Sequence, residues 1–266
     1  MADVPELPEV ETVRRTLAPV LEGRRLERVE ISDPRLTRPL DPVEVARELE
    51  GERVHVVDRR GKYLVVRFES GRVLLIHLRM TGSLRHALGG ELGDDPYRRA
   101  VVTLDDGSDV AYRDVRRFGT WLLLEPSDVD TYIDARVGRE PLDTAYRAKH
   151  LAERLEKRRA PIKAALLDQR TVAGVGNIYA DEALWRAKVH PLTPASELTA
   201  DEIKAVHKGV RDSLRAGVRR QGSTLRDYRL PDGSSGRAQD RFEVYGRAGE
   251  PCRRCGTPIE DRKSVV

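Results

Sequence analysis

Cys252 and Cys255 are the chain's two cysteines, and they have the Cys-x2-Cys spacing at which both thiolates of one turn can reach a single zinc ion. A structural zinc takes four ligands, so the pair supplies half of a site. Near the other end, Pro5-Glu6-Leu7-Pro8-Glu9-Val10-Glu11-Thr12 gathers three carboxylates around two prolines. Taken alone, that string describes a helix start, with proline and acids in the first turn where the helix dipole favours them. Between Lys204 and Arg229 eight basic residues face only Asp212 and Asp227, and Arg154, Lys157, Arg158, Arg159 and Lys163 form a second basic run. A solvated helix face accounts for one such run, but two in the same half of the chain point to a polyanion partner.

These residues need a scaffold. The chain has 266 residues, enough for one or two domains, with 39% apolar and 35% charged residues. No stretch is long and apolar enough to span a bilayer, and the N-terminus lacks the basic and apolar regions of a secretory signal, so a cytoplasmic monomer is expected. Val10, Val13, Leu17, Val20 and Leu21 have helical spacing. Short β-type runs follow at 54–58, 63–68, 73–78, 100–104, 109–113 and 120–124, several separated by Gly or Asp-Gly turns, the pattern of an antiparallel sandwich or barrel. After Pro126 the pattern turns helical. Thr199 and Glu202 form a capping box ahead of an apolar face made by Ile203, Val206, Val210, Leu214 and Val218, and Gly222 stops that helix.

Five strings in collinear order carry a resemblance: the opening Pro5–Thr12 string; Arg60-Gly61-Lys62-Tyr63-Leu64; His77-Leu78-Arg79-Met80-Thr81-Gly82 with Asp114-Val115-Arg116-Arg117-Phe118-Gly119; the run from Gly174 to Leu184; and the run from Val244 to Gly256. Together they resemble the bacterial formamidopyrimidine-DNA glycosylases over nearly the whole chain. The resemblance implies an α+β organisation. Residues 1–126 form a β-rich domain of sandwich type opened by a helix, and 127–146 a linker. Residues 147–243 form a helical domain with a helix-two-turn-helix and a lesion loop at 222–240. Residues 244–266 form an incomplete zinc ribbon.

The resemblance also implies roles. Pro5 matches an N-terminal proline that attacks C1′ of a damaged nucleotide, Glu6 the carboxylate that shuttles protons at the sugar, and Lys62 a phosphate contact and general acid. Met80, Arg116 and Phe118 match the triad that fills the hole left by a flipped base. Asn177, Arg159 and Lys163 match phosphate contacts, and Tyr97 stands where the family often has a histidine. The implied partner is double-stranded DNA containing oxidised purines or abasic sites, with no membrane. The implied cofactor is one zinc per monomer, here with only Cys252 and Cys255 of four ligands. Two features depart from the pattern. Pro5 follows Val4, so its nitrogen is a tertiary amide with no nucleophilic lone pair. Since 40 of the 48 basic residues are arginine, which hints at a GC-rich genome, a GUG start codon at Val4 would expose it. The second Cys pair has no counterpart. Both departures keep a rival reading open, a non-catalytic relative that binds damaged DNA.

Overall fold

A computed structural model describes residues 4–225 and 228–261; residues 1–3, 262–266 and the loop positions Arg226 and Asp227 lie outside the described residues. The first helix, α1 (Leu7–Leu21), starts where the sequence places proline and acids, and the Glu6 backbone N–H donates to the Glu9 carboxylate at 3.0 Å. Its buried positions serve two cores. Val10, Val13, Leu17 and Leu21 pack into the β-rich half, whereas Leu7 packs with the helices of the second half.

Among the described residues, eight strands form two antiparallel four-stranded sheets. Strands β1 (Leu26–Ile31), β6 (Arg98–Leu104), β7 (Asp109–Asp114) and β5 (Gly82–Ala87) lie side by side in that order in one sheet. The other sheet runs β2 (Val54–Arg60), β3 (Tyr63–Phe68), β4 (Val73–His77), β8 (Thr120–Leu124). The six strands read from the sequence are all present. β1 and β5 are additional, and both carry charged residues that break an apolar alternation. A short helix, α2 (Pro42–Leu49), capped by Asp41, packs near β1.

The second sheet is covered on both faces. Leu64, Val66, Leu74, Ile76 and Trp121 point into the core shared with the first sheet and α1. Val65, Val73 and Leu75 point the other way, onto Val129 and Ile133 of α3 (Pro126–Asp134). Burial on both sides explains why β4 is an unbroken apolar run rather than an alternating one. Residues 127–146 therefore hold most of a helix packed on the sheet.

The second half contains α4 (Ala148–Leu155), α5 (Ile162–Leu167), α6 (Asn177–Ala187) and α7 (Ala200–Arg219) around one apolar core. The Thr199 hydroxyl accepts from the Glu202 N–H and the Glu202 carboxylate from the Thr199 N–H, so α7 begins at the sequence's capping box. After α7 the chain returns to the first half. Tyr228 and Leu230 join the sandwich core, and the His86 N–H of edge strand β5 donates to Pro231 at 2.9 Å.

The turn before Lys62 is held from outside its own hairpin. Glu140 accepts from Arg59 at 2.8 Å, from Arg60 at 3.3 Å and from the Gly61 N–H at 2.5 Å. Burial pushes the Glu140 carboxyl up, but the Arg59 and Arg60 guanidinium groups and the Gly61 bond outweigh it and hold the group below its ordinary value. Removing this carboxylate leaves the Arg60 guanidinium without an acidic partner among the described residues and largely buried Arg59 with Glu11 alone. Glu140→Ala is therefore expected to cost about 3 kcal/mol in urea unfolding; an unchanged midpoint would contradict the pinning.

Candidate active site

Glu6 stands just before α1, yet its side chain belongs to the start of α6. One carboxylate oxygen accepts the Gly176 N–H at 2.5 Å and the Tyr179 N–H at 3.4 Å, and the other accepts the Ile178 N–H at 2.8 Å. These are donors that a helix N-terminus leaves without intrahelical partners. The approach is close enough to dictate sequence: a Cβ on Gly176 would lie 2.4 Å from the Glu6 Cδ, so only glycine fits there. The Leu7 N–H donates to the Gly174 carbonyl at 2.9 Å, which fixes α1 against the same turn.

Glu6 is fully buried. Desolvation pushes its pKa up to about 7, opposed by the nearby Lys62 charge and the backbone N–H groups and reinforced by Glu9. Lys62 responds in the opposite sense. Desolvation lowers its pKa from the ordinary lysine value, and Glu6 and Glu9 pull it back up. A carboxyl near neutrality beside a lysine of lowered pKa is a pair suited to exchanging protons with a bound molecule at physiological pH. Pro5, also buried, immediately precedes Glu6 and lies in the same turn of chain.

Glu9 forms a second hub that sequence reasoning read only as part of a helix start. Its carboxylate accepts from the Tyr179 hydroxyl at 3.0 Å and from the Ser223 N–H and hydroxyl at 2.7 and 3.1 Å. Burial raises its pKa as well. Glu9 thus ties α1 to α6 and to the root of the 222–240 loop, and the Tyr228 hydroxyl donates to the Glu9 carbonyl from farther along that loop. Glu9 shares one string with Pro5 and Glu6, which is the signal that could have identified it.

His77 is the other residue the sequence reading left without a role. It is buried, and desolvation together with Arg79 and Lys62 pushes its pKa down to about 3. Its Nδ1 accepts the Arg79 N–H at 3.0 Å, so the neutral ring carries its proton on Nε2.

Met80 is half-buried and Arg116 exposed, and Phe118 keeps 50% of its surface exposed. The Arg116 guanidinium lies 4.9 Å from the Phe118 ring centroid, a cation–π contact that presents both side chains together. Tyr97 is exposed and flanked by Arg113 and Arg99. Asn177 is the first residue of α6, and its buried Oδ1 has no hydrogen-bond partner among the described residues. Arg159 is exposed. Lys163 is engaged within the chain, in an ion pair with Asp181 at 2.8 Å.

Residues 249–259 form a small hairpin in which the Cys252 N–H donates to the Thr257 carbonyl. The Trp185 indole N–H donates to the Cys252 sulfur at 3.4 Å and the Arg254 guanidinium stacks on the same ring, fixing the hairpin to the end of α6. The Glu182 carboxylate accepts the N–H groups of Glu243, Val244 and Tyr245 just before it. Among the described residues no group of three or more His, Cys, Asp or Glu side chains converges as a metal site. Cys252 and Cys255 alone do not fit a tetrahedral zinc.

The profile described as Formamidopyrimidine-DNA glycosylase N-terminal domain matches residues 4–121, and that of the Formamidopyrimidine-DNA glycosylase H2TH domain matches residues 137–229. A Roseiflexus protein named Formamidopyrimidine-DNA glycosylase is 46% identical over 257 residues, covering 96% of this chain and 93% of its own length. A Symbiobacterium thermophilum protein of the same name is 47% identical, covering 99% and 85%. Among solved structures, a Lactococcus lactis FPG mutant in complex with DNA containing Fapy-dG superposes with a TM-score of 0.92 at 36% identity, covering 98% of this chain and 95% of that one. The MutM protein of Thermus thermophilus gives 0.88 at 42%, covering 98% and 94%.

The raised Glu6 pKa has a consequence for stability. The folded chain holds this proton above the ordinary value of 4.5, so between there and about 7 the folded state binds a proton that the unfolded state has lost. Stability from this group is then complete below 4.5 and declines as pH rises. Relative to Glu6→Gln, which cannot titrate, the unaltered chain should lose thermal stability between about pH 5 and about pH 8. A constant difference across that range would contradict the assignment.

Proposed function

Because the chain belongs to the formamidopyrimidine-DNA glycosylase family, we propose that it excises oxidised purines, 8-oxoguanine and formamidopyrimidines, from duplex DNA and then cleaves the strand at the abasic site. The observation that carries this reading is the Glu6–Lys62 pair. A carboxyl that titrates near 7 sits beside Pro5 and a lysine of lowered pKa, at the N-terminus of a helix that favours anions.

Pro5 acts through its nitrogen when the chain begins there. A free α-amine has a pKa near 8 and a lysine near 10.4, so its neutral fraction at neutral pH is larger by roughly 10²-fold. The nitrogen lone pair attacks C1′ and the C1′–base bond breaks, its electrons leaving with the base. The attached nitrogen, now an ammonium, gives up its N–H proton to the departing base; the C1′–O4′ bond then breaks as Glu6 protonates O4′, and the nitrogen lone pair forms the cationic C1′=N iminium. That electron sink acidifies the C2′ protons. Loss of one expels the 3′ phosphate, and a further elimination expels the 5′ phosphate. Glu6 gives and takes protons in these steps, while Lys62 holds a flanking phosphate and serves as general acid. Met80, Arg116 and Phe118 occupy the gap in the duplex, and Arg159 and Asn177 hold the backbone.

The alternative, a binding protein without catalysis, follows from the amide at Pro5 when Val4 precedes it. Borohydride trapping on an 8-oxoguanine duplex separates the two. A protein beginning at Pro5 should form a covalent adduct through the proline, and the longer chain should not. Equal trapping by both would remove the role of the proline amine, and no trapping by either would favour the binding protein.

The contact residues sort by what they do to selectivity. Arg116→Ala should reduce preference for damaged over intact duplex, because extrusion costs a few kcal/mol that the wedge offsets only when a base is flipped. Arg159→Ala should lower affinity on every duplex and flatten its salt dependence by about one phosphate contact. If the two variants behave alike, the sorting is wrong.

A further inference from the structure

We propose that Thr81 and Asp114 form a pin that locks the Met80 loop to the Arg116–Phe118 loop, making them positioning residues for base extrusion. The proposal rests on the reading of Met80, Arg116 and Phe118 as a wedge. Asp114 ends β7 and is 1% exposed, and Thr81 precedes β5 and is 6% exposed. One Asp114 oxygen accepts the Thr81 hydroxyl, and the other accepts the Gly119 N–H at 2.7 Å. The same Thr81 hydroxyl accepts the Arg116 N–H at 2.9 Å. A single buried carboxylate and a single hydroxyl thereby hold three backbone points, one beside Met80 and two bracketing Arg116 to Phe118.

The chemistry of the pin is specific. Two donors converge on Asp114, which only an acceptor with two free oxygens satisfies, and Thr81 must donate and accept at once. The space around it is closed, since a Cβ on Gly119 would lie 1.7 Å from the Tyr112 hydroxyl. Arg117, between the two wedge residues, has a left-handed φ of 60°, which a side chain other than glycine adopts at a cost. Its guanidinium is clamped on buried Asp33 at 2.6 and 2.7 Å, which holds that turn from the opposite side. Pinned at both ends, Phe118 and Arg116 stand exposed and stacked before any DNA arrives, and the wedge enters without first being ordered.

The test uses the full chain and binding alone. Affinity is measured on an 8-oxoguanine duplex and on the same duplex undamaged, with 2-aminopurine beside the lesion reporting unstacking. Thr81→Val should lose about tenfold in preference for the damaged duplex and in the 2-aminopurine signal, whereas Thr81→Ser, which keeps the hydroxyl, should stay within about twofold of the unaltered chain. Affinity for the undamaged duplex should remain within about twofold for both, a readout that general destabilisation would also lower. Asp114→Asn, which turns an amide donor toward one of the two donors, should follow Thr81→Val and serves in its place if that variant does not fold. Full preference in Thr81→Val, or equal loss on both duplexes, overturns the pin. Arg116→Ala, run alongside, separates the two failures. If it loses preference and Thr81→Val does not, the pin alone is wrong; if it too keeps preference, the wedge reading fails and the pin with it.

Discussion

Glu6 belongs to α1 by sequence and to α6 by hydrogen bonding, and this divided membership organises the molecule. The backbone N–H groups at the start of α6 would be left without partners in a buried turn, and a carboxylate from the other half of the chain supplies the acceptor. The same burial that makes the bond necessary makes the charge expensive, so the group is poised near neutrality rather than fully ionised. Structure and reactivity thus arise from one placement. A longer side chain at Gly176, or a shift of α1 along its axis, would disturb the capping of α6 and the proton affinity of Glu6 together.

Around that bridge the two halves are stitched more than once. Leu7 packs among the helices while the rest of the α1 apolar face packs in the sandwich. Tyr228 and Leu230 make the return crossing, from the loop after α7 into the sandwich core. The Pro231 carbonyl also takes up the His86 N–H of edge strand β5, covering part of an edge that would otherwise be open to pairing with another chain.

Much of this was legible in the sequence where local rules decide. The capping box at Thr199, the apolar face of α7 and six strands bounded by turn residues follow from spacing and propensity. Where long-range partners decide, the sequence was silent. β1 and β5 carry arginines and glutamates on exposed positions and a half-buried histidine, and lack a clean alternation. The 222–240 stretch reads as polar loop, yet the burial of Tyr228 and Leu230 depends on a core built from residues 10–123. Lys163 looks from sequence like one more cation for a polyanion, but Asp181 across the turn occupies it. Asp114 drew no role of its own from the sequence, because its two donors come from separate loops. Among the candidate site residues, Pro5, Glu6 and Lys62 stand in motif strings. The environments that tune Glu6 and Lys62 were not legible there, because burial is a property of the assembled chain.

The separations in these contacts set an order of assembly. Glu6 meets Gly176 across 170 positions and Glu9 meets Ser223 across 214. Ribosomes extend a chain by about 5–20 residues per second, so Ser223 is synthesised roughly 10–40 seconds after Glu9. While the first half stands alone, its sandwich carries two carboxylates and a Leu7 whose partners do not yet exist, and the β5 edge stays open until Pro231 is made. The Glu9–Ser223 contact, which roots the 222–240 loop on α1, therefore closes only after the cap that Glu6 places on α6 has its partners.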